Sequence, residues 1–193
     1  MQKITVGAYT VIMLDEPPPY TRNSADNLPS DRVIDFGVKD YRTISLSIDD
    51  GAEERNMVML IPLYSPTVML PASRNIFFVF DTVLRLFNPA NAEIVAEKDM
   101  SACGRLFAAY PYEDDFILHS ETTIFRIKAD LSVVWEFSAK DIFVRYCSSD
   151  GHAFEMKSDR ICLWDFSDNY YEIDYDGKIM YQVQGEQTAR NVL

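Results

Sequence analysis

Tyr110-Pro111-Tyr112-Glu113-Asp114-Asp115 is the densest acidic and aromatic cluster in the sequence. Carboxylates in series offer charge to a cationic partner, and tyrosines supply rigid contact area. Tyr110, Tyr112, Glu113, Asp114 and Asp115 are therefore the candidate binding residues. A tight surface turn competes with this reading, because Ala72-Ser73-Arg74-Asn75 and Met156-Lys157-Ser158-Asp159 turn at corresponding places. A second acidic run, Glu172-Ile173-Asp174-Tyr175-Asp176-Gly177, imitates the start of an EF-hand loop. Calcium needs a bidentate Glu at the twelfth position, where this chain has Val183, so a hairpin turn with Gly177 at positive φ is favoured.

Groups for acid–base or metal chemistry are few. The two histidines, His119 and His152, are isolated, and Cys103, Cys147 and Cys162 are scattered. His119 alternates with Ile117 on one strand face, and with Glu121 it could hold half a metal site; core packing is the favoured reading. Cys162, between Ile161 and Leu163, reads as a small core residue. The sequence contains no phosphate-binding glycine loop, no H-E-x-x-H and no G-x-S-x-G. With thirty acids, no carboxylate pair for glycoside hydrolysis stands out. No catalytic residue, cofactor or metal is expected, and catalysis stays the less favoured class.

Composition bounds the rest. The 193 residues are 48% hydrophobic and 25% charged, with 18 Lys+Arg against 30 Asp+Glu and a net charge of −12. Such a chain can build a core and is not disordered. Phosphate contacts need a basic patch, so no nucleic acid is expected as a partner, and an anionic membrane is disfavoured too. The odd cysteine count and the lack of an Asn-x-Ser/Thr site point to the cytoplasm. Ile4 to Leu14 is too polar and badly flanked for a secretory segment and reads as one first β-strand.

These residues must be positioned by short strands. Residues 15–32 (DEPPPYTRNSADNLPSDR) form a Pro-rich loop, longer than a compact domain usually tolerates, and either a mobile excursion or a functional loop. Pro17-Pro18-Pro19-Tyr20 fits the PPxY pattern that resembles WW-domain ligands, although four-residue patterns arise readily by chance. Residues 184–193 read as a polar tail. Elsewhere, strand-like runs follow one another closely, with one short helix allowed within Ala90 to Leu106.

The strongest signal is a repeat. Leu84-Arg85-Leu86-Phe87-Asn88-Pro89, Phe125-Arg126-Ile127-Lys128-Ala129-Asp130 and Tyr171-Glu172-Ile173-Asp174-Tyr175-Asp176 share alternation followed by turn residues, the first needing one extra turn residue. Asn75-Ile76-Phe77-Phe78, Asp115-Phe116-Ile117-Leu118 and Asp159-Arg160-Ile161-Cys162 keep step with them. A weaker fourth copy lies at Leu46-Ser47-Ile48-Asp49-Asp50-Gly51. Trp135 and Tyr181 fall at equivalent positions and read as core packing. Twenty of the 25 aromatics lie in residues 76–193.

"EIDYDGKIMY" and "RIKADLSVVWEF" resemble blades of β-propellers of the quinoprotein or NHL kind, over residues 41–183. The resemblance implies an all-β antiparallel meander of about four propeller-like repeats in a small or open propeller. A β-sandwich or a curved open meander is the alternative, and 1–193 is expected to form a single all-β domain. The function expected is a non-enzymatic binding module for a protein or small molecule. One alternative is an acidic inhibitor or immunity-type protein masking a basic partner; another is a hydrolase using clustered carboxylates. A homo-oligomer is compatible with open sheet edges.

Overall fold

The structure, a computed structural model, describes residues 1–14, 17, 19–144 and 153–185. His152, Cys147, Asp15, Glu16, Pro18 and most of the 184–193 tail lie outside the described residues. The described chain is built of strands, with one 3-10 turn at Ser101–Cys103 as its helical element. It divides into two compact units, residues 1–100 with 129–131, and residues 101–128 with 132–193.

The first unit contains β1 (Gln2–Val6), β2 (Tyr9–Met13), β3 (Arg32–Asp35), β4 (Tyr41–Asp49) and β5 (Glu54–Pro62), in the order β1-β2-β4-β5-β3. Residues 4–14 are thus not one strand. Gly7 adopts a φ of 59°, and the chain reverses there so that Val6 pairs with Tyr9. A left-handed residue is cheap at glycine, which is why the reversal falls where it does. β1, β2, β4 and β5 form an antiparallel meander, so the N-terminal hairpin completes the weak fourth copy. β3 joins the far edge parallel to β5. The parallel strand departs from the all-antiparallel expectation, and it explains the long Pro-rich loop. A strand parallel to its neighbour needs a crossover of a dozen or more residues to return the chain to the starting end.

β6 (Val68–Ala72), β7 (Asn75–Phe80), β8 (Val83–Asn88) and β9 (Glu93–Asp99) follow as a four-stranded antiparallel sheet. Alternation places Ile44, Leu46 and Ile48 of β4 and Met57, Met59 and Ile61 of β5 in one core with Ile76, Phe78, Phe80 and Phe87. Phe78 stacks on Phe80 at 5.2 Å and meets Phe87 edge-on at 6.1 Å. Arg85 is buried over the ring of Phe36 at 4.1 Å and bonds Glu97 at 2.8 Å.

The second unit holds two further meanders. One is β10 (Leu106–Tyr112), β11 (Asp115–Ser120), β12 (Thr123–Lys128) and β13 (Val133–Ser138); the other is β14 (Phe154–Met156), β15 (Ile161–Trp164), β16 (Tyr170–Ile173) and β17 (Ile179–Val183). Ile117, Ile124, Phe143, Ile161, Leu163, Tyr171 and Ile173 share its core.

The four sheets are the four blade-like repeats. β8, β12 and β16 carry the three quoted segments, and each breaks register with its successor at the same place, with Phe87 opposite Ile94, Ile127 opposite Val133, and Ile173 opposite Ile179. This register moves the first copy by one residue. Leu86, not Arg85, is equivalent to Arg126, because the β8–β9 turn carries the extra residue. Trp135 and Tyr181 are equivalent as expected, but only Trp135 packs against the core; Tyr181 is not a core residue, because it lies on the outermost strand, 53% exposed.

Each third-to-fourth-strand turn carries a left-handed residue: Gly51, Ala92, Leu131 and Gly177, with φ of 87°, 55°, 69° and 79°. Gly51 opens a two-residue turn, with the Asp50 N–H donating to the Glu53 carbonyl, whereas the other three close their turns. In those last three sheets a bulge follows the loop, whereas the β4–β5 pairing runs without a register break. At Gly177 a Cβ would also lie 2.7 Å from the Trp135 indole, whereas at Gly51 nothing lies within 4 Å. Gly51→Ala should therefore cost only the left-handed backbone, about 1 kcal/mol. Gly177→Ala should cost about 2–4 kcal/mol, since overpacking adds to the same backbone cost. Denaturant midpoints of the two variants measure the difference.

Candidate functional site

The Pro-rich loop is held by its own polar residues. Asn27 accepts the Thr21 N–H at 2.8 Å and donates its amide to the Thr21 carbonyl at 2.7 Å, closing residues 21–27 into a ring. Arg22 forms a fork with Asp35, 2.6 Å from Nε to Oδ2 and 2.7 Å from Nη2 to Oδ1, and lies over the Tyr41 ring at 4.7 Å. Hydrogen bonding to Arg22 comes first among the causes holding the Asp35 carboxyl below its ordinary range. At the far end, Asp31 N–H donates to the Asn56 carbonyl at 2.7 Å, and Asn56 N–H donates to the Asp31 carboxylate at 2.6 Å. Among its described residues, the loop is a crossover held by hydrogen bonds at both ends.

Beneath it lies a pocket of about 210 Å³, lined from the loop side by Leu14, Pro19, Tyr20, Leu28, Pro29 and Ser30. Its floor comes from Ser45 and Leu46 of β4 and from Asn56, Met57 and Val58 of β5. The lining is mostly apolar. Leu28 stands 62% exposed at the mouth, whereas Leu46 and Met57 are buried. Tyr20 lines this pocket, so the PPxY tyrosine belongs to an intramolecular surface. Sequence reasoning named the loop but not its floor.

A second cavity, of about 180 Å³, borders Asp31, Arg32, Arg55 and Asn91. Its cations are already used: Arg55 donates to the Pro89 carbonyl at 2.7 Å and to Ala90 at 3.3 Å, and Arg32 to the Asn91 carbonyl and Glu93.

The candidate residues Tyr110 to Asp115 lie on the β10–β11 hairpin. Arg126 reaches Asp115 at 2.6 Å and Glu113 at 3.3 Å, and its guanidinium lies over the Tyr112 ring at 4.9 Å. Tyr112 stacks on Tyr175 at 4.0 Å, and Tyr110 stacks on Phe154 at 4.9 Å. Tyr110, Tyr112, Glu113 and Asp115 are thus tied into the second unit, and Asp114 is exposed. The EF-hand-like run is a turn: Asp174 Oδ1 accepts the N–H groups of Asp176 at 2.9 Å and Lys178 at 2.8 Å.

Asp165 escaped the sequence reading. It is fully buried in the β15–β16 turn, and its carboxylate accepts from the N–H groups of Ser167 and Asn169, the Asn169 amide and the Tyr171 hydroxyl. The spacing of Asp165 and Asn169 is the signal that could have identified this turn. Ser167 donates to Asp141 at 2.7 Å.

His119 is buried, stacked on Phe154 at 4.7 Å and edge-on to Phe107 at 5.2 Å and Phe143 at 6.0 Å. Glu121 instead binds the backbone of Arg105, so the two residues form no half-site. Among the described residues, no group of three or more ligating side chains could hold a metal.

No known family and no curated protein matches the chain. Among solved structures, the WD40 domain of Pan2 from Neurospora crassa is similar at 14% identity and a TM-score of 0.46, covering 78% of this chain and 48% of that one. Hsv2 from Kluyvelomyces marxianus is similar at 11% identity and a TM-score of 0.45, covering 76% of this chain and 48% of that one. Raptor from Chaetomium thermophilum is similar at 13% identity and a TM-score of 0.43, covering 75% of this chain and 15% of that one. The chain thus spans about half the length of the first two. The four sheets define an all-β protein of propeller-type blade repeats, and no particular family is singled out. Among the described residues, no helix is long and apolar enough to cross a membrane.

Burial lowers the His119 pKa to about 4 from an ordinary 6.5. The unfolded chain therefore takes up this proton at higher pH than the folded one. Stability from the neutral imidazole is intact above about pH 6.5 and declines as the pH falls toward 4, by about 3 kcal/mol in all. In urea titrations across this range, His119→Leu should remove that part of the pH dependence.

Proposed function

We propose that the protein is a non-enzymatic binding module that receives an apolar side chain of a protein partner in the pocket under the Pro-rich loop. The observation that carries this reading is an apolar space of about 210 Å³ beneath a loop fixed by hydrogen bonds. The volume is below the roughly 300 Å³ at which small-molecule sites begin, and exceeds the roughly 150 Å³ that accommodates a benzene ring. It suits one aliphatic or aromatic anchor, and Leu28 extends the apolar surface at the rim. Interfaces concentrate their energy on such anchors.

The acidic balance favours a partner of basic character, as an inhibitor or immunity-type protein would have, and the exposed acids Glu113 and Asp114 offer it a separate contact surface. The buried thiols of Cys103 and Cys162 suit a reducing cytoplasm.

Native co-purification on the immobilised protein, at two salt concentrations, tests this reading through two variants. Leu28→Asp should change stability by no more than about 0.5 kcal/mol, since Leu28 is exposed, yet abolish retention of the partner. Arg22→Ala should weaken retention by releasing the loop from Asp35. A partner held equally by both variants and the unaltered protein overturns the pocket assignment. A complex insensitive to salt overturns the basic character of the partner.

A further inference from the structure

The fourth strand of each sheet presents an edge to anything outside it, and the four edges differ. β5 is covered by β3. β9 carries Glu93, Glu97 and Asp99 at exposed positions, and β13 carries Glu136. Covering strands and charges are the usual means by which sheets avoid pairing with other chains. β17 has neither. It is the last strand of its sheet, it is exposed at all five positions, and Ile179-Met180-Tyr181-Gln182-Val183 contains no charge. Ile179, Met180 and Tyr181 are 53%, 51% and 53% exposed. The edge is also fixed in place. Gly185 N–H donates to Asn169 Oδ1 at 3.1 Å, and Tyr181 meets Tyr170 edge-on at 6.1 Å.

We infer that β17 is a self-association edge, pairing antiparallel with β17 of a second copy of this chain. The register follows from the sequence. Centring the two-fold axis on Tyr181 sets Tyr181 against its own copy, Met180 against Gln182, and Ile179 against Val183. Lys178 then falls opposite Gln184, so no like charges face each other anywhere along the ladder. β-Branched and aromatic cross-strand pairs of this kind stabilise a sheet. The same centring on β9 or β13 would confront acids with acids or leave a carboxylate unpaired within the ladder. A closed two-fold pair also consumes the edge, so association stops at the dimer. Five residues bury less than the roughly 1,200 Å² of a standard stable interface, so the dimer is weak and concentration-dependent. Each copy carries −12, hence added salt strengthens this contact, the opposite of its effect on a basic partner.

Sedimentation equilibrium of the full chain over a dilution series tests the pairing. The expected result is a mass rising from one chain toward two with concentration, more steeply at high salt. Tyr181→Lys and Tyr181→Glu, each bringing like charges together on the axis, should each remain monomeric, and an equimolar mixture of the two should dimerise again. Hydrogen exchange on the unaltered chain needs no variant, and the amides of residues 179–183 should gain protection as concentration rises. A constant single-chain mass, a dimer that persists in both charge variants, or exchange at 179–183 independent of concentration overturns the assignment.

Discussion

One left-handed residue in each third-to-fourth-strand hairpin sets the register of the strand outside it. Side chains alternate with a period of two, so a slip of one residue at the turn would expose the inner face of the outer strand. Gly51, at the start of its tight turn, and Ala92, Leu131 and Gly177, at the end of theirs, oppose that slip by supplying the positive φ that each turn needs. Where a bulge follows, it absorbs one residue and turns the outer strand. In the last sheet the absence of a Cβ at Gly177 also makes room for Trp135, whose indole donates to the Tyr175 carbonyl at 2.8 Å. The conformation of that turn and the packing of a neighbouring sheet are therefore a single constraint. Ala92 and Leu131 meet the same backbone demand at a steric cost that glycine avoids.

This constraint explains what could be read in advance. The repeat was legible because buried alternation in β8, β12 and β16 survives translation into sequence, as do turn residues such as Asp176-Gly177. Its first copy aligns one residue out in sequence, because a four-residue turn and a three-residue turn look alike until the pairing is known. In sequence the N-terminal hairpin looks like one strand, because Gly7 and Ala8 sit inside an apolar run and only the φ of Gly7 reveals the reversal. β3 left still less trace. Arg32-Val33-Ile34-Asp35 has four residues, three of them exposed, and its place depends on Met57 to Leu60 far along the chain.

The candidate site divides in the same way. Composition found the acidic hairpin at Tyr110 to Asp115, but Arg126, which engages two of its carboxylates, is an ordinary member of a repeat segment when read alone. His119 could be isolated by sequence, whereas the ring of Phe107, Phe143 and Phe154 that keeps it neutral comes from separate segments. The pocket was half legible. Prolines, Asn27 and Ser24 announce a loop, while the floor at Ser45, Met57 and Val58 follows from where the crossover must run.

That crossover ties function to architecture. Once β3 lies parallel on β5, the chain from β2 must return along the whole sheet before β3 begins. The return path covers Ser45 and Val58, which would otherwise be the solvated face of a two-sided sheet, and its prolines and Leu28 leave an apolar space against them. One insertion therefore protects the edge of β5 and forms the pocket. The rigidity needed for the first duty, from the Arg22–Asp35 fork and the exchange between Asp31 and Asn56, preorganises the second, so a ligand entering there does not have to order the loop.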